Sequence, residues 1–137
     1  MWLSVSEYAA TCSWDACKRM AEFMRDGKFG GNERVFIAEN GSSFMGFCAL
    51  MNPPAFPEAE NAPLLKWLFV EEQYRGNRLS EKLIEAACEY AVSIGFHRIC
   101  LTTWHSGLYE KYGFVKTGER EMRKGYFESI YIKSCDI

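Results

Sequence analysis

Arg75, Gly76, Asn77 and Arg78 sit between an apolar run over residues 64–70 and a helical pattern that starts at Ser80. A helix start presents unpaired backbone N–H groups and a partial positive charge. With Gly76 and two guanidinium groups beside it, such a turn can hold a phosphate or pyrophosphate. An ordinary strand-to-helix turn, its glycine relieving backbone strain, carries the same residues, so the stretch alone leaves both readings open. Further along, His105 and Tyr109 lie four residues apart and bring an imidazole and a phenol, both able to carry protons. A nucleotide-binding phosphate loop finds no support, because no G-x-x-x-x-G-K-[ST] run occurs. Metal binding is not expected, since His97 and His105 are the only histidines and no C-x-x-C pair is present.

These residues need elements to hold them. The run over 64–70, interrupted by Lys66, reads as a strand. Residues 80–94 place Leu83, Ile84, Ala87, Cys88 and Ala91 on one helical face, closed by Gly95. Residues 97–103 are β-rich, so 64–103 forms a strand-helix-strand unit with a parallel crossover. Before it, residues 34–38 and 44–51 form a hairpin around Asn40-Gly41. A weakly alternating first strand over 1–11 and a helix over 13–25, with Trp14, Cys17, Met20, Ala21 and Met24 as its stripe, begin the chain. Residues 52–61 hold three prolines and are expected to be an irregular surface loop. A short helical segment over 106–112 ends at Gly113, and 114–117 with 126–133 make a terminal antiparallel pair around a polar turn.

The 137 residues, 48% hydrophobic and 15% aromatic, suffice for one domain with a single core. A net charge of −2 is inconsistent with the broad basic face that nucleic-acid binding needs, so no nucleic acid is expected as a partner. No apolar run reaches membrane-spanning length, and no basic region precedes an apolar stretch at the N-terminus, so neither a membrane nor a signal peptide is expected. Cysteines stand at 12, 17, 48, 88, 100 and 135, those at 17, 48, 88 and 100 in apolar or periodic segments. They read as reduced, buried small hydrophobes in a cytoplasmic setting.

Three features together resemble the GNAT superfamily of acyl-CoA-dependent N-acyltransferases. Gln73-Tyr74-Arg75-Gly76-Asn77-Arg78 is similar to the family's Q/R-x-x-G-x-G/A pyrophosphate loop. Leu108-Tyr109-Glu110-Lys111-Tyr112-Gly113-Phe114 is similar to its F/L-Y-x-x-x-G-F signature. The order of elements is the third. The resemblance is specific over 66–117 and architectural elsewhere. It implies an α/β fold: a mixed β-sheet with central splayed parallel strands, antiparallel flanking strands and helices on both faces. Arg78 departs from the pattern, where the family has Gly or Ala. Helical angles at Arg78 with an outward side chain would preserve the loop, and the guanidinium then either reaches a cofactor phosphate or stays solvated.

The resemblance also implies an enzyme: direct attack of a primary amine, from a small molecule or a peptide, on the thioester of bound acetyl-CoA. Leu68, Phe69 and Val70 would hold the cofactor through strand backbone, together with Arg75 and the loop residues Gly76, Asn77, Arg78, Leu79 and Ser80. An N–H near Val70 would serve as the oxyanion donor. Tyr109, at the signature position, is the general acid, with Tyr112 as its rival. The family often places a Glu on the strand where Lys66 stands, so the base is unassigned and His105 is the replacement candidate; Glu71 and Glu72 are expected to begin the solvated loop. Trp14, Phe56, Trp67 and Trp104 either line an acceptor pocket or fill the core. This fold often dimerises, so a homodimer is an allowed assembly. The competing reading is a non-catalytic acyl-CoA-binding or interaction module on the same fold.

Overall fold

Consecutive apolar residues build the first hairpin of the structure, a computed structural model that describes residues 25–26, 30–40 and 43–135. Strand β1 (Arg34–Asn40) pairs antiparallel with β2 (Ser43–Met51), from Arg34 opposite Leu50 to Asn40 opposite Ser43. Then follow β3 (Leu64–Val70), helix α1 (Leu79–Ser93), β4 (Arg98–Thr103), β5 (Val115–Arg123) and β6 (Tyr126–Ser134). One sheet orders them β1-β2-β3-β4-β6-β5, with β3 and β4 parallel and every other neighbour antiparallel. The expected mixed sheet with a parallel central pair is therefore present. The strand expected over 1–11, the turn residues 41–42 and the helix expected over 13–25, apart from Arg25, lie outside the described residues.

Helix α1 forms because its buried residues Leu83, Ile84, Ala87, Cys88 and Ala91 recur at helical spacing against the sheet. They pack with Cys48, Leu50, Leu65, Ile99, Leu101 and Tyr131 in one cluster. Burying each Leu or Ile contributes about 1.5–3 kcal/mol. The helix ends in a Schellman motif: Phe96 N–H donates to the Ala91 carbonyl (2.9 Å) and Gly95 N–H to that of Val92 (3.0 Å), with Gly95 at φ +97°. The opposite face carries a smaller cluster, in which Ala59 from the proline-rich loop and Ala62 just after it cover Cys100 and Ile132.

Three expectations change. The proline-rich loop contains a 3₁₀ turn at Pro57–Ala59, which proline's fixed φ favours at a helix start. The segment over 106–112 is helical only as a 3₁₀ turn at Glu110–Tyr112, because Gly107 takes φ +81° and interrupts it. The last hairpin is longer than expected. Its polar residues belong to β5, an edge strand that tolerates charged side chains, and the turn shrinks to Lys124 and Gly125.

Two features of β3 position the site. The pairing of Phe47 with Phe69 and of Ala49 with Lys66 leaves Trp67 and Leu68 opposite Cys48 alone, a β-bulge, with Trp67 at φ +56°. A bulge bends its strand and adds twist. Beside β4, β3 keeps a single registered pair, Leu64 with Cys100, supported by Cys100 N–H donating to the Pro63 carbonyl (2.8 Å). Beyond it the two strands splay. Gly46 lets β2 follow, since a Cβ there would sit 2.5 Å from the Phe69 carbonyl oxygen.

Candidate active site in the splayed seam

The splay frees backbone. Glu71 N–H donates to the Met45 carbonyl (2.8 Å), and the alternation of antiparallel bonds then turns Phe69 toward β2 and Val70 away from it. Val70 thus presents its N–H and C=O to the seam. Arg75 Nε donates to the Val70 carbonyl (3.0 Å), folding the loop back onto the strand end. Phe69 lines the seam with its side chain, while its backbone belongs to the β2 ladder, contrary to the expectation that it would face the cofactor.

The loop then turns sharply into α1. Gly76 takes φ +88°, and Arg78, directly before the helix, takes φ +60° and ψ +26°. The expected helical angles at Arg78 are not what the chain adopts. The position is left-handed, which explains why a small residue suits it. The Arg78 side chain points outward, as expected, and its guanidinium pairs with Glu81 while remaining 75% exposed. That hydrogen bond, then the Glu81 charge, pushes the Arg78 pKa up. The first intrahelical bond runs from Lys82 N–H to the Arg78 carbonyl (3.2 Å), and no side chain caps the turn before it. The N–H groups of Leu79, Ser80 and Glu81 are therefore left to an anion or to water. Asn77 takes no part in the lining; its Nδ2 donates to the Tyr74 carbonyl (3.2 Å) and shapes the turn.

Three adjoining cavities follow the seam. The first, about 480 Å³, brings together Leu68, Phe69, Val70, Arg75, Ser80 and Tyr109, with Leu108 and Tyr112. The second, about 590 Å³, extends over Gly76, Arg78, Leu79 and Ser80 at the helix start. The third, about 550 Å³, opens on the other side toward β4 and β6 and holds His105, Tyr109, Lys66, Trp67, Trp104, Tyr126 and Glu128. Tyr109, Leu68 and Leu108 line both the first and the third, so they mark the junction.

Tyr109 starts the 3₁₀ turn, and its carbonyl accepts from Tyr112 N–H (3.0 Å) and Phe114 N–H (3.3 Å). Its ring meets buried Phe114 edge-on at 5.9 Å. Burial, with a smaller contribution from Tyr112, pushes its phenol above the ordinary tyrosine value of about 10. Among the described residues its hydroxyl has no hydrogen-bond partner. His105 is exposed and stacked on Trp104, ring centroids 3.9 Å apart, with its backbone N–H donating to Thr103 Oγ1 (3.1 Å). It shares the third cavity with Tyr109. Phe56, by contrast, packs with the smaller core cluster and lies under Arg120 rather than in the seam; Trp14 falls outside the described residues.

Some lining residues escaped the sequence reading. Lys111 faces the second cavity from the signature segment and adds a cation there. Tyr126 and Glu128 face the third. Alternation along β6 puts both on one face, but which face depends on the β4–β6 register, which no local pattern encodes.

A profile described as "Acetyltransferase (GNAT) domain" matches residues 31–116. A search of curated proteins finds no match. Among solved structures, the chain is similar to a protein assigned to the GNAT acetyltransferase family from Desulfovibrio desulfuricans (16% identity, TM-score 0.76, covering 98% of this chain and 92% of that one). It is also similar to an aminoglycoside 6'-N-acetyltransferase complexed with coenzyme A (16%, 0.74, 99% and 91%). A third, from Bacillus anthracis, is described as a streptothricin acetyltransferase in complex with acetyl coenzyme A (22%, 0.65, 78% and 65%). At these identities the structures establish a shared fold, while the profile match spans more than half of the sequence: the chain belongs to the GNAT acetyltransferase family.

Proposed function

We propose that the protein is an acetyl-CoA-dependent N-acetyltransferase acting on a primary amine of a small molecule or peptide. One observation carries the reading. The seam between β3 and β4 opens where the Val70 N–H turns away from β2, and Tyr109 lines the cavities on either side. The residues fit an acyl-CoA: uncapped N–H groups of Leu79, Ser80 and Glu81 suit a pyrophosphate, and the open β3 edge suits an amide-rich arm. Relatives of the same fold are known with acetyl coenzyme A or coenzyme A bound. When bound, acetyl-CoA supplies the thioester whose acyl carbon the amine attacks as the carbon–sulfur bond breaks. Val70 N–H would hold the developing oxyanion. Tyr109 keeps its proton at neutral pH and would give it to the departing sulfur; the acceptor ammonium loses one proton to water before it attacks, and the proton released from the nitrogen after attack restores the phenol through water.

Tyr109→Phe should leave acetyl-CoA affinity unchanged and lower kcat about 100-fold. Because the Tyr109 pKa is raised, the wild-type enzyme should lose its acid only above about pH 10, and that alkaline limb should vanish in the variant. Thiol release from acetyl-CoA across a panel of primary amines measures both. An unchanged rate in Tyr109→Phe removes its role; acetyl-CoA binding without thiol release for any amine makes the protein a binding module.

A further inference from the structure

The third cavity holds one carboxylate that no step above uses. Leu64, Cys100 and Ile132 are register neighbours across β3, β4 and β6 and share the core cluster opposite α1. Thr102 pairs with Ile130, and Glu128 lies two residues further along β6, so Glu128 and Tyr126 point to that same face. The Tyr126 hydroxyl donates to Glu128 Oε2 (2.5 Å). Oε1 has no partner among the described residues, and the side chain is half-buried at the cavity wall.

The cations on the flanking strands have partners of their own. Arg120, directly across from Glu128 on β5, gives its guanidinium to both carboxylate oxygens of Glu58 (3.0 and 3.2 Å). Arg123 lies over the Tyr126 ring at 4.5 Å. Lys66 stands on the β3 wall with its ammonium over Trp67 at 4.7 Å. Trp104, 67% exposed and stacked on His105, offers an aromatic face at the same mouth. A carboxylate fixed by a phenol, beside exposed aromatic rings, is a receptor for an organic ammonium.

We propose that Glu128, oriented by Tyr126, receives the ammonium of the acceptor, which makes the acceptor class a cationic primary amine with no carboxylate next to the nitrogen. The proposal rests on the acetyl-transfer reading for the identity of that amine as acceptor, and its test is independent of turnover. Phenethylamine and phenylalanine share a ring and an amine and differ in that carboxylate. Each is titrated calorimetrically into coenzyme A-saturated wild-type, Glu128→Gln and Tyr126→Phe protein. Wild type should bind phenethylamine about tenfold tighter than phenylalanine. Glu128→Gln should weaken phenethylamine about tenfold and erase the preference, with Tyr126→Phe shifting affinity the same way by less and coenzyme A affinity constant throughout. A Glu128→Gln affinity within about twofold of wild type, a wild-type preference for phenylalanine, or no binding of either amine overturns the assignment. Loss of amine affinity in Glu128→Gln without thiol release by wild type would instead sink the acetyl-transfer reading and leave the ammonium site standing.

Discussion

Arg78 shows how one position can look like a ligand in sequence and act as a backbone device in structure. Its basic side chain beside Gly76 suggested a phosphate contact, yet its guanidinium pairs with Glu81 in solvent while its backbone takes a left-handed turn into α1. Glycine adopts that conformation without strain. Arg78→Gly should therefore keep acetyl-CoA affinity within about threefold by calorimetry. A tenfold loss would mean that the guanidinium leaves Glu81 for the cofactor. Tyr109 is the converse case: its type and signature position indicated a proton donor, and in the structure it lines both cavities at their junction, its hydroxyl without a partner among the described residues and its pKa raised by burial. His105 shares that cavity but stacks on Trp104 in solvent.

Strand β3 decides the geometry of the seam. Its bulge at Trp67 costs strain, since a bulky residue at positive φ is disfavoured by about 1–2 kcal/mol. The cost is offset by packing, with Trp67 buried in the structure and Lys66 over its ring. In return β3 turns from β4 after Leu64 and leaves the Val70 N–H, though its side chain is buried, without a β4 partner. Amide exchange reads this directly. Val70 N–H should exchange fast in the free protein and slow on adding acetyl-CoA, while Phe69 N–H, in the β2 ladder, should be protected in both states. Equal protection of the two amides in the free protein would mean that the seam is closed.

At the scale of the whole molecule, three adjoining cavities follow one seam of the sheet, with α1 covering one face and the proline-rich loop the other. A ligand that binds the folded seam stabilises the entire domain. Acetyl-CoA at about a hundredfold its Kd should add about 2.7 kcal/mol and raise Tm by about 10 °C, read by thermal unfolding. No rise would remove acetyl-CoA as the ligand. Much of this architecture was legible locally, because a 3.6-residue stripe, alternation and turn residues act between near neighbours: the α1 face through Ala91, the Gly95 stop, the β1–β2 hairpin and the loop paired with Leu108–Phe114. The proline-rich 3₁₀ turn and the extent of β5 were misjudged because proline content and edge-strand polarity both mimic loop composition. The amino-acid sequence by itself determined the family, the strand-helix-strand unit and Tyr109 as the proton donor to test. The tertiary structure alone decided that β3 and β4 part after one pair, that Arg78 is left-handed and that Glu128 lines the third cavity. Each of those depends on the register between strands distant in sequence or on how the loop must close, and neither is written in the spacing of near neighbours.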